Sequence, residues 1–301
     1  MSFVLTLKNK EKVNKFIVLF KYLKNICPDV TMNISDKGLY VQGMCSAHVL
    51  MFELNISPDW FDTYTTTFVS QTNLGINCEI LFKIINCIAD GQMIQMRYAE
   101  KNLDKLIISL ENIEENVSTL EKEFEVSLMD IDSELLEIPE IETDVDIVVS
   151  SNSFDSIINQ LIMFGIDVKF TCSEKGMELE SSGDSNVMKV KIKDTDIESY
   201  AIVEEYVYES AYSLKYLHYI TAFSKLNNNL DITFINDSPA KFAYNLDVVD
   251  WKDIDDEEGE EETLISDKED DSDNELEENE ICKNNKKNKN IMKFYLAPKM
   301  D

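Results

Sequence analysis

The chain is poor in the residues that most enzymes and metal sites need. It has two histidines and six cysteines in 301 residues, and no cysteines form a CxxC pair or another spacing typical of metal ligands. Walker, GxGxxG, HExxH and nucleophile-elbow motifs are missing. His48 follows Cys45 and Ser46, but on one strand such neighbours are poorly placed to act as base and nucleophile. The sequence predicts no catalytic residue, no metal and no cofactor.

Long apolar runs and positive charge are also scarce. The longest apolar run, 16–20, is far too short to span a bilayer, and the opening residues lack the pattern of a secretory signal. We therefore expect reduced thiols and no membrane partner. Asp and Glu number 58 against 28 Lys and Arg, a formal charge of −30. Such a chain repels nucleic acid unless its basic residues gather on one surface.

The negative charge is concentrated near the C-terminal end. Residues 250–282 contain 18 Asp and Glu against two Lys, a composition typical of disordered segments. The aromatic stretch KFYLAPKMD follows at 293–301. We interpret 251–289 as a disordered acidic insertion in a turn and the last stretch as a returning strand, because a longer loop adds little closure entropy. The lysines at the end of the insertion are weakly similar to a nuclear import signal, although a solubilising role explains them as well.

The most informative feature that is present is an internal repeat. ISDKGLYVQ at 34–42 and CSEKGMELE at 172–180 each consist of two alternating strands joined by a turn that ends in Lys-Gly. Gly38 and Gly176 supply the positive φ that such a turn requires. The other elements predicted in both copies are the helices 13–25 and 153–165, the helices 76–88 and 211–223, and the hairpins 93–111 and 230–247.

Each copy is completed by one more strand, at 123–131 in the first and at 290–298 in the second. The sequence thus predicts an α+β fold of two similar domains, each with antiparallel sheets and two helices. We place the domains at 1–131 and 145–301, with a connector at 132–144. A connector is normally polar, whereas this one carries Leu and Ile among acids. It therefore either packs on the body or binds a partner.

Basic side chains recur on the polar faces of three of the four predicted helices. Lys21 lies opposite the apolar stripe of the first helix, and Lys83 and Lys215 are exposed on the second and fourth. Ordinary solvated lysines explain this pattern when it is taken alone. Faces of Lys and Asn without aromatic rings also suit contact with phosphates, but not the stacking that single-stranded nucleic acid needs.

Four stretches, in order along the chain, resemble the proliferating cell nuclear antigen family, the eukaryotic-type DNA sliding clamps. They are MCSAHVLMFEL at 44–54, WFDTYT at 60–65, LMDIDSELLEIPE at 128–140 and YLAPKM at 295–300. The resemblance implies a DNA clamp fold in which three subunits form a ring around duplex DNA, with helices lining the hole. It implies a processivity factor without catalysis, partnered by DNA polymerase, other proteins with short clamp-binding peptides and an ATP-driven clamp loader. The implied location is the nucleus, or the replication site if the chain is viral.

The resemblance also implies roles for individual residues. The basic positions that line the hole match Lys15, Lys21, Lys83 and Lys215. The peptide pocket matches Met44, His48, Val49, Met51, Leu136, Ile138, Pro139, Pro239, Tyr295, Leu296, Ala297 and Pro298. The contact between subunits matches Phe124, Glu125, Val126 and Ser127 on one edge strand, and Met188, Lys189 and Val190 on the other.

Some positions depart from the family. Ser156, Asn159 and Met163 stand where the first helix of the second domain is normally basic, which puts strong DNA contact from that helix in doubt. Leu135 replaces a usual glutamine of the connector. His48 is either a wall of the pocket or a hydrogen-bonded structural histidine. We expect the acidic insertion on the ring face away from the pocket.

Two other functions remain open at this point. One is a non-encircling clamp-like interaction protein, such as a subunit of a heterotrimeric damage-signalling clamp or a monomeric polymerase accessory. The other is a DNA-mimicking or histone-binding protein, which accounts for the acidic insertion but not for the rest of the chain.

Overall fold

The computed structural model describes residues 2–68, 71–99, 104–114, 119–132, 135–139, 141–247 and 290–299. The described residues contain four α-helices: α1 (Lys10–Ile26), α2 (Cys78–Ile85), α3 (Ser151–Leu161) and α4 (Leu214–Thr221). Two helices fall in each half of the chain, which confirms the predicted α+β class. The insertion predicted at 251–289 lies outside the described residues.

The described residues of each half also form nine strands. The first half forms β1 (Ser2–Leu7), β2 (Asp29–Ser35), β3 (Gly38–Met44), β4 (Leu50–Ile56), β5 (Thr63–Thr66), β6 (Thr72–Asn77), β7 (Gln92–Ala99), β8 (Lys105–Asn112) and β9 (Lys122–Ser127). The second half forms β10 (Val145–Ser150), β11 (Asp167–Ser173), β12 (Gly176–Ser182), β13 (Val187–Lys193), β14 (Ser199–Ile202), β15 (Tyr208–Ser213), β16 (Asn229–Phe234), β17 (Ala240–Asn245) and β18 (Ile291–Leu296). Short 3₁₀ helices occur at Pro58–Trp60 and Asp194–Asp196.

The strands form three antiparallel sheets. A five-stranded sheet has the order β5-β1-β7-β8-β9, and a four-stranded sheet has the order β13-β12-β11-β15. The third sheet has nine strands in the order β14-β10-β16-β17-β18-β4-β3-β2-β6 and therefore runs through both halves of the chain. Strands β9 and β13 each lie at the edge of a sheet.

The last strand, β18, joins the two halves. Phe294 pairs with Phe242 of β17 on one side and with Phe52 of β4 on the other. The sequence predicted that this strand closes the second domain, which is correct but incomplete, since its other edge continues into the first domain. The aromatic residues of KFYLAP are explained by this central position, where alternate side chains such as Phe294 are wholly buried.

The repeated hairpins have the predicted turn conformation. Gly38 begins β3 with φ of 121°, and Gly176 begins β12 with φ of 115°. A Cβ atom at Gly38 would lie 2.1 Å from the carbonyl oxygen of Ile56, and one at Gly176 would lie 2.2 Å from that of Ile192. Both glycines are therefore required by backbone conformation and by close approach of a neighbouring strand.

The helices pack over the large sheet through aromatic contacts. Phe16 and Phe20 of α1 are wholly buried, with ring centroids 5.1 Å apart. Tyr22 of α1 lies 5.5 Å from Phe223, which follows α4, and Phe223 lies 4.9 Å from Phe294 of β18. The helices of both halves thus share one core against one side of the sheet, and the opposite side is left to polar and half-buried residues.

Within the described ranges, no helix has the length and apolar character to cross a bilayer. The same ranges contain no group of three or more His, Cys, Asp and Glu side chains suited to hold a metal ion. The cysteines that the structure describes, Cys27, Cys45, Cys78, Cys87 and Cys172, are free thiols.

Candidate functional site

Three of the four predicted DNA-facing lysines are exposed. Lys21 lies on α1, Lys83 on α2 and Lys215 on α4, each on the side of its helix away from the core. Lys83 forms an ion pair with Glu79 one turn earlier, at 2.8 Å. Such an exposed pair contributes little to stability, so the ammonium group is available to a stronger anionic partner.

Lys15 differs from the other three, because its side chain is only 8% exposed. Its Nζ donates a hydrogen bond to the carbonyl oxygen of Leu246 at 2.8 Å and pairs with Glu11 at 3.0 Å. The ammonium group is therefore engaged within the protein. Its position on the helix is the predicted one, but the fold turns it toward the second half of the chain.

Aromatic rings lie beside the exposed lysines, contrary to the interpretation of these faces as free of aromatic residues. Lys21 Nζ lies 5.0 Å from the ring centroid of Tyr22. Lys215 Nζ lies 5.3 Å from the ring of Tyr216 and 6.0 Å from that of Tyr219. These distances are within the range of cation–π contacts, which hold the lysines near the helix surface.

Helix α3 contributes no positive charge. Asp155 is its only ionisable residue. Asn159 is uncharged, and its Oδ1 lies 2.9 Å from Nδ1 of His218 on α4. This contact links the two helices of the second domain on their exposed faces.

The predicted peptide pocket is assembled where β3, β4 and β18 meet. Met44 pairs with Met51 across β3 and β4, and Met51 pairs with Tyr295 across β4 and β18. His48 is exposed in the loop between β3 and β4, with φ of 56°, and its Nδ1 lies 3.1 Å from Sδ of Met44. The structure therefore brings these four predicted residues together on the side of the sheet away from the helices.

The chain after β18 extends the same surface. Ala297 N–H donates to the carbonyl oxygen of Val49 at 2.9 Å, which places 297–298 beside the loop of His48. Pro239 is exposed and precedes Ala240, whose register partner is Leu296. Leu296 itself is wholly buried, so its side chain lies in the core and does not line the pocket.

The connector lies over this region. Leu136 is 49% exposed and Leu135 is 45% exposed, while Ile138 is half-buried and Pro139 is exposed. The backbone of Leu136 is hydrogen-bonded to the side chain of Gln42 on β3. The connector thus packs on the body through its backbone and leaves apolar side chains exposed. The first alternative from the sequence is observed, and binding of a partner stays a prediction.

A carboxylate lies on the same face of the sheet as Tyr295. Glu53 Oε2 accepts a hydrogen bond from the Tyr295 hydroxyl at 3.3 Å and lies 3.5 Å from Lys293 Nζ. Burial, together with the nearby Glu53 charge, raises the pKa of Tyr40 to about 12. The same two causes raise the pKa of Tyr295. Both phenols therefore remain protonated at neutral pH and act as hydrogen-bond donors.

The two edge strands carry opposite charge on their outer faces. On β9, Phe124 and Val126 face the core, whereas Glu123 and Glu125 are exposed. On β13, Met188, Val190 and Ile192 pack against the core, whereas Lys189, Lys191 and Lys193 are exposed. One edge therefore presents carboxylates and the other presents ammonium groups, each beside a half-buried apolar row. Most of these charges are paired within the chain: Glu123 with Arg97, Glu125 with Lys105, and Lys189 and Lys191 with Glu180 and Glu178 of β12.

Comparison with known families agrees with this geometry. The model of the proliferating cell nuclear antigen N-terminal domain matches residues 5–135, and that of the C-terminal domain matches residues 137–253. The chain belongs to the proliferating cell nuclear antigen family. This is a family of non-enzymatic sliding clamps, processivity factors of DNA replication and repair in the nucleus, with DNA, polymerases and copies of themselves as partners.

The sequence analysis did not identify one apolar surface patch. Ile162, Met163, Phe164 and Ile166, at the end of α3, are 40%, 71%, 37% and 78% exposed. They border β12, because a Cβ atom at Gly183 would lie 2.4 Å from the carbonyl oxygen of Phe164. This apolar patch therefore adjoins the start of the β13 edge. The unbroken run LIMFGI at 161–166, longer than a core helix face requires, was the signal for it.

Proposed function

We propose that the chain is a homotrimeric sliding clamp, which encircles duplex DNA as the processivity factor of a DNA polymerase and serves as a docking platform for replication and repair proteins. The observation that carries this proposal is the complementarity of the β9 and β13 edges. Each subunit has one acidic and one basic edge, at the ends of two different sheets. Head-to-tail contacts between identical subunits close into rings when the rotation permits.

The edge contact has a simple physical basis. Both edges expose unpaired backbone groups, which pairing between subunits would satisfy. Joining β9 to β13 of a second copy continues one sheet and sets Phe124 beside the apolar row that contains Met188 and Val190. It also sets Glu125 beside the row that contains Lys189. The apolar patch at 162–166 extends the same contact at one end.

The helices supply the DNA-facing surface. Lys21, Lys83 and Lys215 are the proposed contacts, and the engaged ammonium of Lys15 makes it a structural residue in this proposal. Few lysines on an acidic molecule hold DNA weakly through phosphates and without sequence preference. Weak contact suits a ring, since topological linkage retains the DNA while the clamp slides.

The pocket supplies the partner site. Exposed apolar residues of the connector are held, through Gln42, on the sheet that carries Met44, Met51 and Tyr295. A short peptide that places an apolar plug and aromatic rings there would bury the kind of central anchor that dominates binding energies. DNA polymerase, other proteins with such peptides and an ATP-driven clamp loader are the proposed partners. The domains at 1–131 and 145–301, the connector at 132–144, and location in the nucleus or at a viral replication site complete the proposal.

A mass measurement combined with DNA threading tests the proposal. Light scattering should give a mass about three times the 34.7 kDa of one chain. The protein should bind linear duplex DNA with free ends, and lose this binding when both ends are blocked beforehand with a bulky protein. A closed ring reaches linear DNA only over an end. Equal binding to open and blocked DNA would refute encirclement.

The second candidate is a clamp-like subunit that needs different partners. It is favoured by the single observation that α3 carries Asp155 and no cation. A chain that remains monomeric at micromolar concentration, with no binding to either DNA, would support this candidate instead.

A further inference from the structure

One buried side chain holds the middle of the connector. Gln42 lies on β3 and is 9% exposed. Its Oε1 accepts a hydrogen bond from the Leu136 N–H at 2.8 Å, and its Nε2 donates to the Leu136 carbonyl oxygen at 2.9 Å. The amide thus binds both backbone groups of one residue, as a neighbouring strand would.

Among the described residues of the connector, this contact stands alone. Upstream, Met129 N–H donates to the Gly75 carbonyl at 2.9 Å, and downstream, Asp144 N–H donates to the Phe234 carbonyl at 3.1 Å. Among the described residues between them, 130–132, 135–139 and 141–143, the hydrogen bonds to Gln42 are the ones that tie the backbone to the body. The position of Leu136 over the sheet therefore depends on Gln42.

Gln42 is itself held by the floor of the pocket. Its Nε2 also lies 3.1 Å from the hydroxyl oxygen of Tyr40. The Tyr40 hydroxyl interacts with Glu53, which in turn accepts from Tyr295 of β18. The network therefore runs from the last strand, through Glu53, to the connector. An amide within such a network has little freedom to rotate away.

We propose that Gln42 is a positioning residue of the peptide-docking site. It holds the backbone of Leu136 so that the half-exposed leucine side chain forms a preset wall of the pocket, although Gln42 itself is covered. A wall that is ordered before binding spares the peptide the cost of ordering it. This inference rests on the proposed docking function and assigns a role to a residue outside the pocket positions that the resemblance implied.

The matched pair of variants is Gln42→Leu and Gln92→Leu. Leucine has about the same volume as glutamine but cannot form the two hydrogen bonds to the Leu136 backbone. Gln92 of β7 is the control, because it is 4% exposed, accepts from the Ala89 N–H at 3.1 Å and donates to the Leu120 carbonyl at 3.0 Å. It makes the same kind of contact in another sheet.

Two measurements on the full-length assembly test the proposal. The first is hydrogen–deuterium exchange of the segment that contains the Leu136 amide. The second is the affinity for a synthetic peptide with one aliphatic and two adjacent aromatic residues on a single helical turn, measured by fluorescence anisotropy. For Gln42→Leu we expect faster exchange and about tenfold weaker binding, equivalent to about 1.4 kcal/mol, with an unchanged assembly mass. Gln92→Leu should change neither readout.

The outcomes separate this inference from the proposed function. Unchanged Leu136 exchange in Gln42→Leu would overturn the inference, and so would faster exchange with unchanged peptide affinity. An equal loss of affinity in Gln92→Leu would overturn it as well, since general destabilisation would then be the cause. If the wild-type chain binds no such peptide, the proposed docking function fails and the inference fails with it.

Discussion

Lys15 of α1 donates a hydrogen bond from Nζ to the carbonyl oxygen of Leu246, 231 residues later in the chain. Leu246 N–H in turn donates to the carbonyl oxygen of Asn290 at 2.9 Å. Asn290 Oδ1 accepts from Ser57 N–H, and Asn290 Nδ2 donates to Asp247. Lys15 therefore ties a helix of the first domain to the point where both ends of the predicted insertion meet the fold. The pocket lies at the opposite end of β18.

Replacing Lys15 should affect stability more than DNA binding. Lys15→Met removes a buried, charge-assisted hydrogen bond, and such bonds contribute about 1.5–3 kcal/mol. We expect a loss of about 2 kcal/mol in the free energy of unfolding, measured with urea. The matched control is Lys21→Met on the same helix, whose effect should stay within about 0.5 kcal/mol. If Lys15→Met weakens DNA binding as strongly as Lys21→Met without loss of stability, Lys15 is a DNA contact after all.

Replacing Lys21 should weaken DNA binding, and the remaining affinity should depend less steeply on salt concentration. Each phosphate contact contributes about 0.9 to the slope of log affinity against log salt concentration. Lys21→Ala removes one such contact per subunit, so both the affinity and the slope should fall, by a similar factor for any sequence. Lys37, in the exposed β2–β3 turn, is the control site, and Lys37→Ala should leave the slope unchanged. An unaltered slope in Lys21→Ala would place α1 away from the DNA.

Reversing one edge charge should weaken the assembly, and reversing both should restore part of it. Glu125→Lys or Lys189→Glu places like charges at the proposed contact, where such contacts are costly. We expect the dissociation constant of the trimer to rise at least about tenfold. The double variant should recover part of the loss, as followed by light scattering against concentration.

The control for the edge variants is Glu209→Lys. Glu209 pairs with Lys169 at 2.8 Å on the four-stranded sheet, away from both proposed edges. Glu209→Lys should leave the mass of the assembly unchanged. Single edge variants that assemble like the wild type would show that the trimer uses another surface.

Asp231 should make the fold less stable as pH rises. Burial raises the pKa of this β16 carboxyl from its ordinary value of 3.8 to about 6, and the charge of Asp146 adds to the rise while Lys241 opposes it. Between about pH 4 and pH 6 the folded chain keeps this proton and the unfolded chain releases it, so stability falls across that window. The full effect is at most about 3 kcal/mol.

Asp231→Asn should remove this dependence and stabilise the chain at pH 7. Urea unfolding at pH 4.5 and pH 7 measures the change, with the exposed Asp237→Asn as control. Equal stability of the wild type and Asp231→Asn at pH 7 would mean that Asp231 is ionised there without cost.

The local elements could be predicted because their signals are local. The turns at Gly38 and Gly176 need a positive φ that glycine adopts readily, and the apolar stripe of α1 repeats with the period of a helix. The predicted helices and hairpins therefore agree with the observed ones to within a few residues. The pocket positions Met44, Met51 and Tyr295 came from the resemblance, and their convergence depends on the pairing of β3, β4 and β18.

The residues whose surroundings differ from the expectation do so for different reasons. Lys15 has the helical position of an exposed lysine, but the end of β17 covers it. Leu296 lies in a motif of pocket residues, but strand alternation turns its side chain into the core. Tyr22 and Tyr216 directly follow Lys21 and Lys215 in the sequence, so the signal for these ring contacts was present and was overlooked.

The amino-acid sequence by itself determined the two-copy plan, the four helices, the hairpin turns and the uneven charge, because each follows from spacing, backbone preference or composition. The tertiary structure alone decided that β18 joins the two halves, that β9 and β13 lie at sheet edges, and that Gln42 holds Leu136. The physical reason is that sheet order and burial arise from contacts between segments tens to hundreds of residues apart.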